Sequence, residues 1–336
     1  MDPIRSKKSK ISADLPKISL TSNRMEPKAT RDAFGDALIR FGKSHPSVVI
    51  VDCDLATATK TDKFRTAFPD RFFQLGIQEA NAIGAGAGLA NSGFRPFVCS
   101  FACFITGRYD QIRISVALDN APAVIVGTHG GLAIGKDGAT QMGLEDVNLM
   151  RGMPNMTVLQ PADYIETIEM VKYLAETRNP AYLRLGRQPL PHINKEGYKF
   201  QFGKGITLAN GNDLAIVATG GMVYIALEVA KILAEEGIKA RVINIHTLKP
   251  IDEKIILKAA KETKGIFTLE DHNVYGGLGS AVAEIVAESD LATPVKRWGI
   301  QDVFGESGDP KDLYRKHELD KEGILKNVRK FYKKLK

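Results

Sequence analysis

A chain of 336 residues is too long for one ordinary domain and predicts two. Its 44% hydrophobic and 25% charged residues fit a folded globular protein, and no run reaches the ~18 uninterrupted apolar residues that would cross a bilayer. The net charge of +7 sits largely at the two ends; with no zinc-finger or helix-turn-helix signature beside it, no nucleic-acid partner is expected.

In chain order, MDPIRSKKSKISADLPKISL opens the sequence with no apolar core. It reads as part of a basic, disordered tail over residues 1–27, not as a secretory leader. SVVIVDCDL (47–55) is a buried strand and FFQLG (72–76) a second. The helix EANAIGAGAGLANSG follows, then the strand RPFVCSF (95–101). The next helix sets Ile105, Tyr109, Ile112 and Val116 on one face at helical spacing. PAVIVGTH (122–129) is another buried strand; TVLQP, a helix near 163–177 and AYLRLGR complete the first unit.

Residues 188–212 break the rhythm with two prolines and four glycines, and read as a linker or small hairpin. A second unit starts at DLAIVATGG (213–221) and continues through a helix to Glu236, the strand KARVINIHTL, a helix, the strand GIFTLED and a helix from about Gly279. Strand–helix alternation with apolar strands predicts an α/β fold of two doubly wound, parallel sheets covered on both faces. Three cysteines with no CxxC pair suit a reducing, cytoplasmic setting, with Cys53, Cys99 and Cys103 filling core.

Ligands of such sheets sit at the carboxyl ends of the strands. Asp54, Glu79, Phe101, Phe104 and His129 all follow strands and are expected to meet on one rim. THGGLAIGKDGATQ (128–141) imitates a phosphate loop, G-x-x-x-x-G-K from Gly130, but Asp137 stands where that loop needs Ser or Thr. His129 and Asp137 on this loop look more like substrate ligands. Glu79 opens a helix of small residues, which let another helix or a ligand pack closely; the carboxylate alone also suits a helix N-terminus. Phe101 and Phe104 are either core or an aromatic wall for a flat heterocycle. In LEDHNVYGGLGSAVAE (269–284) the glycines either bind phosphate or make a tight turn feeding an interdomain contact, the latter favoured.

In order and spacing, TRDAFGDAL, VDCDLA, FFQLGIQEANAIGAGAGLA, FACFITGRYDQIR, THGGLAIGKDGATQ, LRLGRQ and LEDHNVYGGLGS resemble the C-terminal half of transketolase, most closely the shorter subunit of the split enzymes. The resemblance covers about residues 28–336. It implies a pyrimidine-binding domain over 28–190, a linker over 191–204 and a transketolase C-terminal domain over 205–336. It implies thiamine diphosphate with Mg²⁺ or Ca²⁺, and transfer of a two-carbon ketol unit between sugar phosphates of the pentose phosphate pathway. Glu79 then hydrogen-bonds the cofactor's aminopyrimidine, Phe101 and Phe104 line it, and Asp54 lies near the thiazolium. His129, Asp137 and Gln141 face the sugar, with His129 also catalytic, and Arg31 and Arg187 hold its phosphate. Where long-chain transketolases carry a second loop His and a Ser, this chain has Gln141 and Ala58, which leaves donor and acceptor open. The family's diphosphate and metal motif, GDG with an Asn further on, is missing, and none of the site residues is expected to bind metal. The resemblance therefore implies an N-terminal partner subunit and an α2β2 assembly. A 1-deoxyxylulose-5-phosphate synthase half and a 2-oxoacid dehydrogenase E1 beta subunit share the same plan.

Overall fold

The computed structural model describes residues 26–336. The expectation for the tail over 1–27 thus lies almost wholly outside the described residues. Among the described residues, twelve strands carry the fold: β1 (Val48–Asp52), β2 (Phe72–Gln74), β3 (Arg95–Phe101), β4 (Val124–Thr128), β5 (Thr157–Leu159), β6 (Ala181–Arg184), β7 (Ile206–Ala209), β8 (Leu214–Ala218), β9 (Ala240–Asn244), β10 (Thr247–Lys249), β11 (Ile266–Asn273) and β12 (Val295–Ile300).

The first sheet runs β10-β5-β6-β4-β3-β1-β2 and the second β12-β11-β8-β9-β7. Helices cover both faces of the first. Val48, Ile50, Phe97, Cys99, Val124 and Val126 pack with the helices Thr30–Ser44 and Tyr164–Glu176. Val51, Val98 and Ile125 point the other way, onto the helix Glu79–Asn91 and the segment carrying Ile105, Ile112 and Val116. This is the period-two alternation of a strand buried on both sides.

The structure departs from a purely parallel plan at two edges. β10 pairs antiparallel with β5, and β7 pairs antiparallel with β9. KARVINIHTL is not one strand: β9 joins the second sheet, the chain turns, and β10 crosses to the first. The second half of the chain thus donates an edge strand to the first sheet, and one apolar cluster runs through both halves, from Val51 and Ile125 to Val217, Ile243 and Ile256. β7 forms inside the segment read as a linker or hairpin. The helix expected after β3 is broken into Ala102–Thr106, Tyr109–Ile112 and a wider turn over Arg113–Leu118. Ile105, Ile112 and Val116 are nonetheless buried, with Tyr109 packed beside them. No helix among the described residues is long and apolar enough to cross a membrane.

Candidate active site

Parallel pairing lines up the carboxyl ends of β1, β3, β4 and β6: Asp52 lies opposite Cys99, Phe101 opposite Thr128, and Gly127 opposite Arg184. The residues just beyond these ends form one rim. Glu79, the first residue of its helix, is buried, and Ser100 Oγ at the end of β3 donates to its Oε1 at 2.9 Å.

His129 follows β4 in a left-handed backbone conformation (φ 61°) and is buried. Arg31 Nη1 lies 2.6 Å from its Nε2, and Thr128 Oγ1 lies 2.9 Å from its Nδ1. A guanidinium only donates, so Nε2 is the acceptor and Nδ1 carries the proton. That N–H donates to the Thr128 hydroxyl, which donates in turn to the Ser100 carbonyl at 3.3 Å. Burial, then the charges of Arg31, Arg187 and Lys60, push the imidazole down to about 3, so it is neutral at physiological pH. Ser100 is the shared element: its side chain serves Glu79 and its carbonyl serves the His129 relay.

The Phe101 ring is stacked on Phe104, centroids 5.4 Å apart with planes 12° off parallel, and lies 4.0 Å from the imidazole on its other neighbour. Phe101 is buried between them, while Phe104 is half-buried. Arg31 also donates to the Ala58 carbonyl at 3.2 Å. Arg187 donates to the Ile134 carbonyl at 2.8 Å and lies 3.4 Å from Asp137. Positive charge from Arg31, Arg187 and Lys60 thus gathers around a neutral His129, answered by Asp32 on Lys60 and Asp137 on Arg187. Gln141 ends the three-residue turn Ala139–Gln141 and is half-buried. Asp54 is exposed in a left-handed conformation (φ 65°), and its amide donates to Gln74 Oε1 at 2.7 Å.

Several residues here went unmarked by the sequence. Asp52, not Asp54, is the buried acid of VDCD; it accepts from the Leu55 amide, Thr59 and Thr61 at 2.8, 2.8 and 3.0 Å and so ties down the short helix Ala56–Thr59, which carries Ala58. Ser100 and Thr128 matter only through the pairing of β3 with β4. In LEDHNVYGGLGS, the Glu270 carboxylate accepts the Leu278 and Gly279 amides at 2.7 and 2.8 Å and already fills the helix N-terminus a phosphate would need. Arg151 of the first half donates to the Gly276 carbonyl at 2.6 Å, so this turn makes an interdomain contact. Burial, reinforced by nearby carboxylates, pushes the Cys53 and Cys103 thiols up to about 12, which removes them as nucleophiles. Among the described residues no group of three or more His, Cys, Asp and Glu stands ready to hold a metal ion.

Residues 26–192 match the family model for the transketolase pyrimidine-binding domain, and 203–324 that for the transketolase C-terminal domain. The chain is 42% identical to a putative transketolase C-terminal section of Methanocaldococcus jannaschii, over 91% of this chain and 97% of that one. It is 37% identical to an apulose-4-phosphate transketolase subunit of Phocaeicola vulgatus, over 91% and 98%. It is also 34% identical to a 1-deoxy-D-xylulose-5-phosphate synthase of Trichormus variabilis, of which it spans only 50%. A solved structure described as a split gene transketolase, inactive beta4 tetramer, superposes with a TM-score of 0.84 at 43% identity, over 90% of this chain and 97% of that one.

Proposed function

The chain belongs to the transketolase family, and on that premise we propose that it is the C-terminal subunit of a split, thiamine-diphosphate-dependent transketolase. The reaction is transfer of a two-carbon ketol unit from a ketose phosphate to an aldose phosphate. Glu79 carries this reading: a buried carboxylate, bonded at Oε1 to Ser100, stands on the same rim as the Arg31–His129 pair. Its Oε2 accepts from no described residue and is not sealed from solvent. A carboxylate so placed fits the pyrimidine end of thiamine diphosphate, which the half-buried ring of Phe104, stacked on Phe101, would line.

When bound, the cofactor would supply the electron sink that side chains lack. This chain's residues would do the rest. Glu79 Oε2 would share a proton with the pyrimidine ring, while Ser100 fixes the carboxylate's orientation. Neutral His129 has its Nδ1 proton committed to Thr128, which leaves Nε2 to accept a hydrogen bond from a sugar hydroxyl once Arg31 turns to substrate. Arg31 and Arg187 present planar, paired donors suited to a phosphate, and Asp137 offers acceptors to hydroxyls. Asp54 would lie near the thiazolium end.

Two relatives, one described as a C-terminal section and the other as a transketolase subunit, support an N-terminal partner subunit. That partner would carry the diphosphate-binding domain and the Mg²⁺ or Ca²⁺ ion. We place the pair as an α2β2 assembly in the cytoplasm, serving pentose phosphate interconversion. The test supplies the co-expressed pair with xylulose 5-phosphate and ribose 5-phosphate, or with pyruvate and glyceraldehyde 3-phosphate. Transfer from the ketose alone supports the reading. Condensation of pyruvate instead would make the chain half of a 1-deoxyxylulose-5-phosphate synthase.

A further inference from the structure

The loop Gly130–Met142 leaves β4 in the first half of the chain, yet it is built into the second half. Leu132, Ala133, Ile134 and Met142 are buried in the same apolar cluster as Met222, Trp298 and Tyr314. Polar contacts then fix the loop's backbone at both ends of its first turns. The Asp271 carboxylate, in β11, accepts the Leu132 amide at 3.1 and 3.2 Å. Tyr314 donates its hydroxyl to the same carboxylate at 2.5 Å. Gly131 (φ 89°) passes so close that a Cβ there would fall 2.0 Å from Asp271 Oδ2. Four residues further on, Gly135 (φ 74°) runs against Pro310, and Ser307 Oγ donates to the Lys136 carbonyl.

Both contacts from the second half land on the loop's main chain, where Arg187 of the first half also donates to the Ile134 carbonyl. Apolar burial resists removal of the loop but tolerates sliding; a bond to one amide and one to one carbonyl fix its path. The two anchored residues, Leu132 and Lys136, bracket the turn that ends at Asp137, and Gln141 stands four residues beyond. Resting on the reading of this loop as the sugar-facing one, we propose that Asp271, Tyr314 and Ser307 are positioning residues. Through them the C-terminal half sets where Asp137 and Gln141 stand, and so how well an acceptor sugar binds.

Tyr314→Phe keeps the ring and removes only the hydroxyl; Ser307→Ala changes an exposed residue. Amide hydrogen exchange would be followed on the full chain, and ketol transfer on the reconstituted pair. In the double variant, amides of residues 132–141 should exchange up to about tenfold faster, as expected for lost hydrogen bonds, with β4 unchanged. KM for the aldose phosphate should rise several-fold while kcat stays within about twofold, the split expected of lost substrate positioning, and Ser307→Thr should restore the Ser307 share. Unchanged exchange over 132–141, or a loosened loop with unchanged KM, overturns the proposal. If the unaltered pair transfers no ketol unit, the functional reading fails, and the exchange data alone decide the clamp.

Discussion

Arg31 Nη1 and His129 Nε2 stand 2.6 Å apart, so a cation is hydrogen-bonded to a ring that burial and neighbouring charge hold neutral. The pair explains why the imidazole keeps one tautomer. Arg31→Met removes the nearest of the three like charges but leaves the burial, which is the larger cause. The His129 pKa should rise from about 3 yet stay below its ordinary 6.5. Proton NMR titration, with His129→Asn for assignment, reads this directly. A titration unmoved by the substitution would contradict the electrostatic account.

Arg187 is half-exposed; Asp137 at 3.4 Å and the Ile134 carbonyl at 2.8 Å both engage its Nη1, which leaves Nη2 and Nε to meet an anion. Arg187→Ala should raise KM for phosphorylated aldoses by about tenfold or more, the worth of a lost charge-assisted hydrogen bond. KM for glycolaldehyde, which has no phosphate, should change little. Equal losses for both substrates would remove Arg187 from phosphate recognition.

The helix Glu79–Asn91 uses its glycines in two ways. At Gly86 a Cβ would meet Val98 Cγ2 at 2.4 Å, whereas Gly84 and Gly88 face open space. Leu is nearly as good a helix former as Ala. Gly84→Leu should therefore melt no lower than the parent as a lone chain. If this small-residue face packs against another subunit, the same change should block the α2β2 assembly. Light scattering would then show separate species; an intact heterotetramer would free this face from the interface.

Glu166 ties the halves together. It is buried and accepts from the Ala162 amide, Tyr198 and Asn244 at 2.7, 2.8 and 3.0 Å. Burial, then Asp163, push its carboxyl up to about 7, while an unfolded chain titrates it near 4.5. The folded state therefore binds the extra proton, and this stabilisation is present below about 4.5 and lost as pH rises through 7. Glu166→Gln does not titrate, so its stability relative to the parent should improve steadily from pH 4.5 to 7 and level off above. Denaturant unfolding across this range checks the sign; a constant difference would show that Glu166 does not titrate there.

Much of the fold was legible because its strands announce themselves. VVIVD and AVIVGT are apolar on both faces, and only a sheet covered on both sides buries such runs. What an apolar run does not say is which sheet it joins. INIHTL continues the pattern of β9, yet the chain turns at Ile245–His246 and hands β10 to the other sheet. At the site, Glu79 and His129 were marked by residue type and position after strands, and Arg31 by the family resemblance alone. Their supports were not, because Ser100 and Thr128 acquire roles only when β3 and β4 pair in register. The choice between Asp52 and Asp54 was equally out of reach: one ends β1 and the other lies two residues on, and the turn that buries the first exposes the second.

The most direct measurement compares ketol transfer by this chain alone, its N-terminal partner alone, and the pair, using the parent and Glu79→Gln with thiamine diphosphate and Mg²⁺. Gln keeps an acceptor for Ser100 and the shape of the side chain but gives up the carboxylate. The account predicts activity only in the pair, lowered about a hundredfold or more by Glu79→Gln at an unchanged melting temperature. Full activity of the variant pair, or transfer by this chain alone, would contradict it.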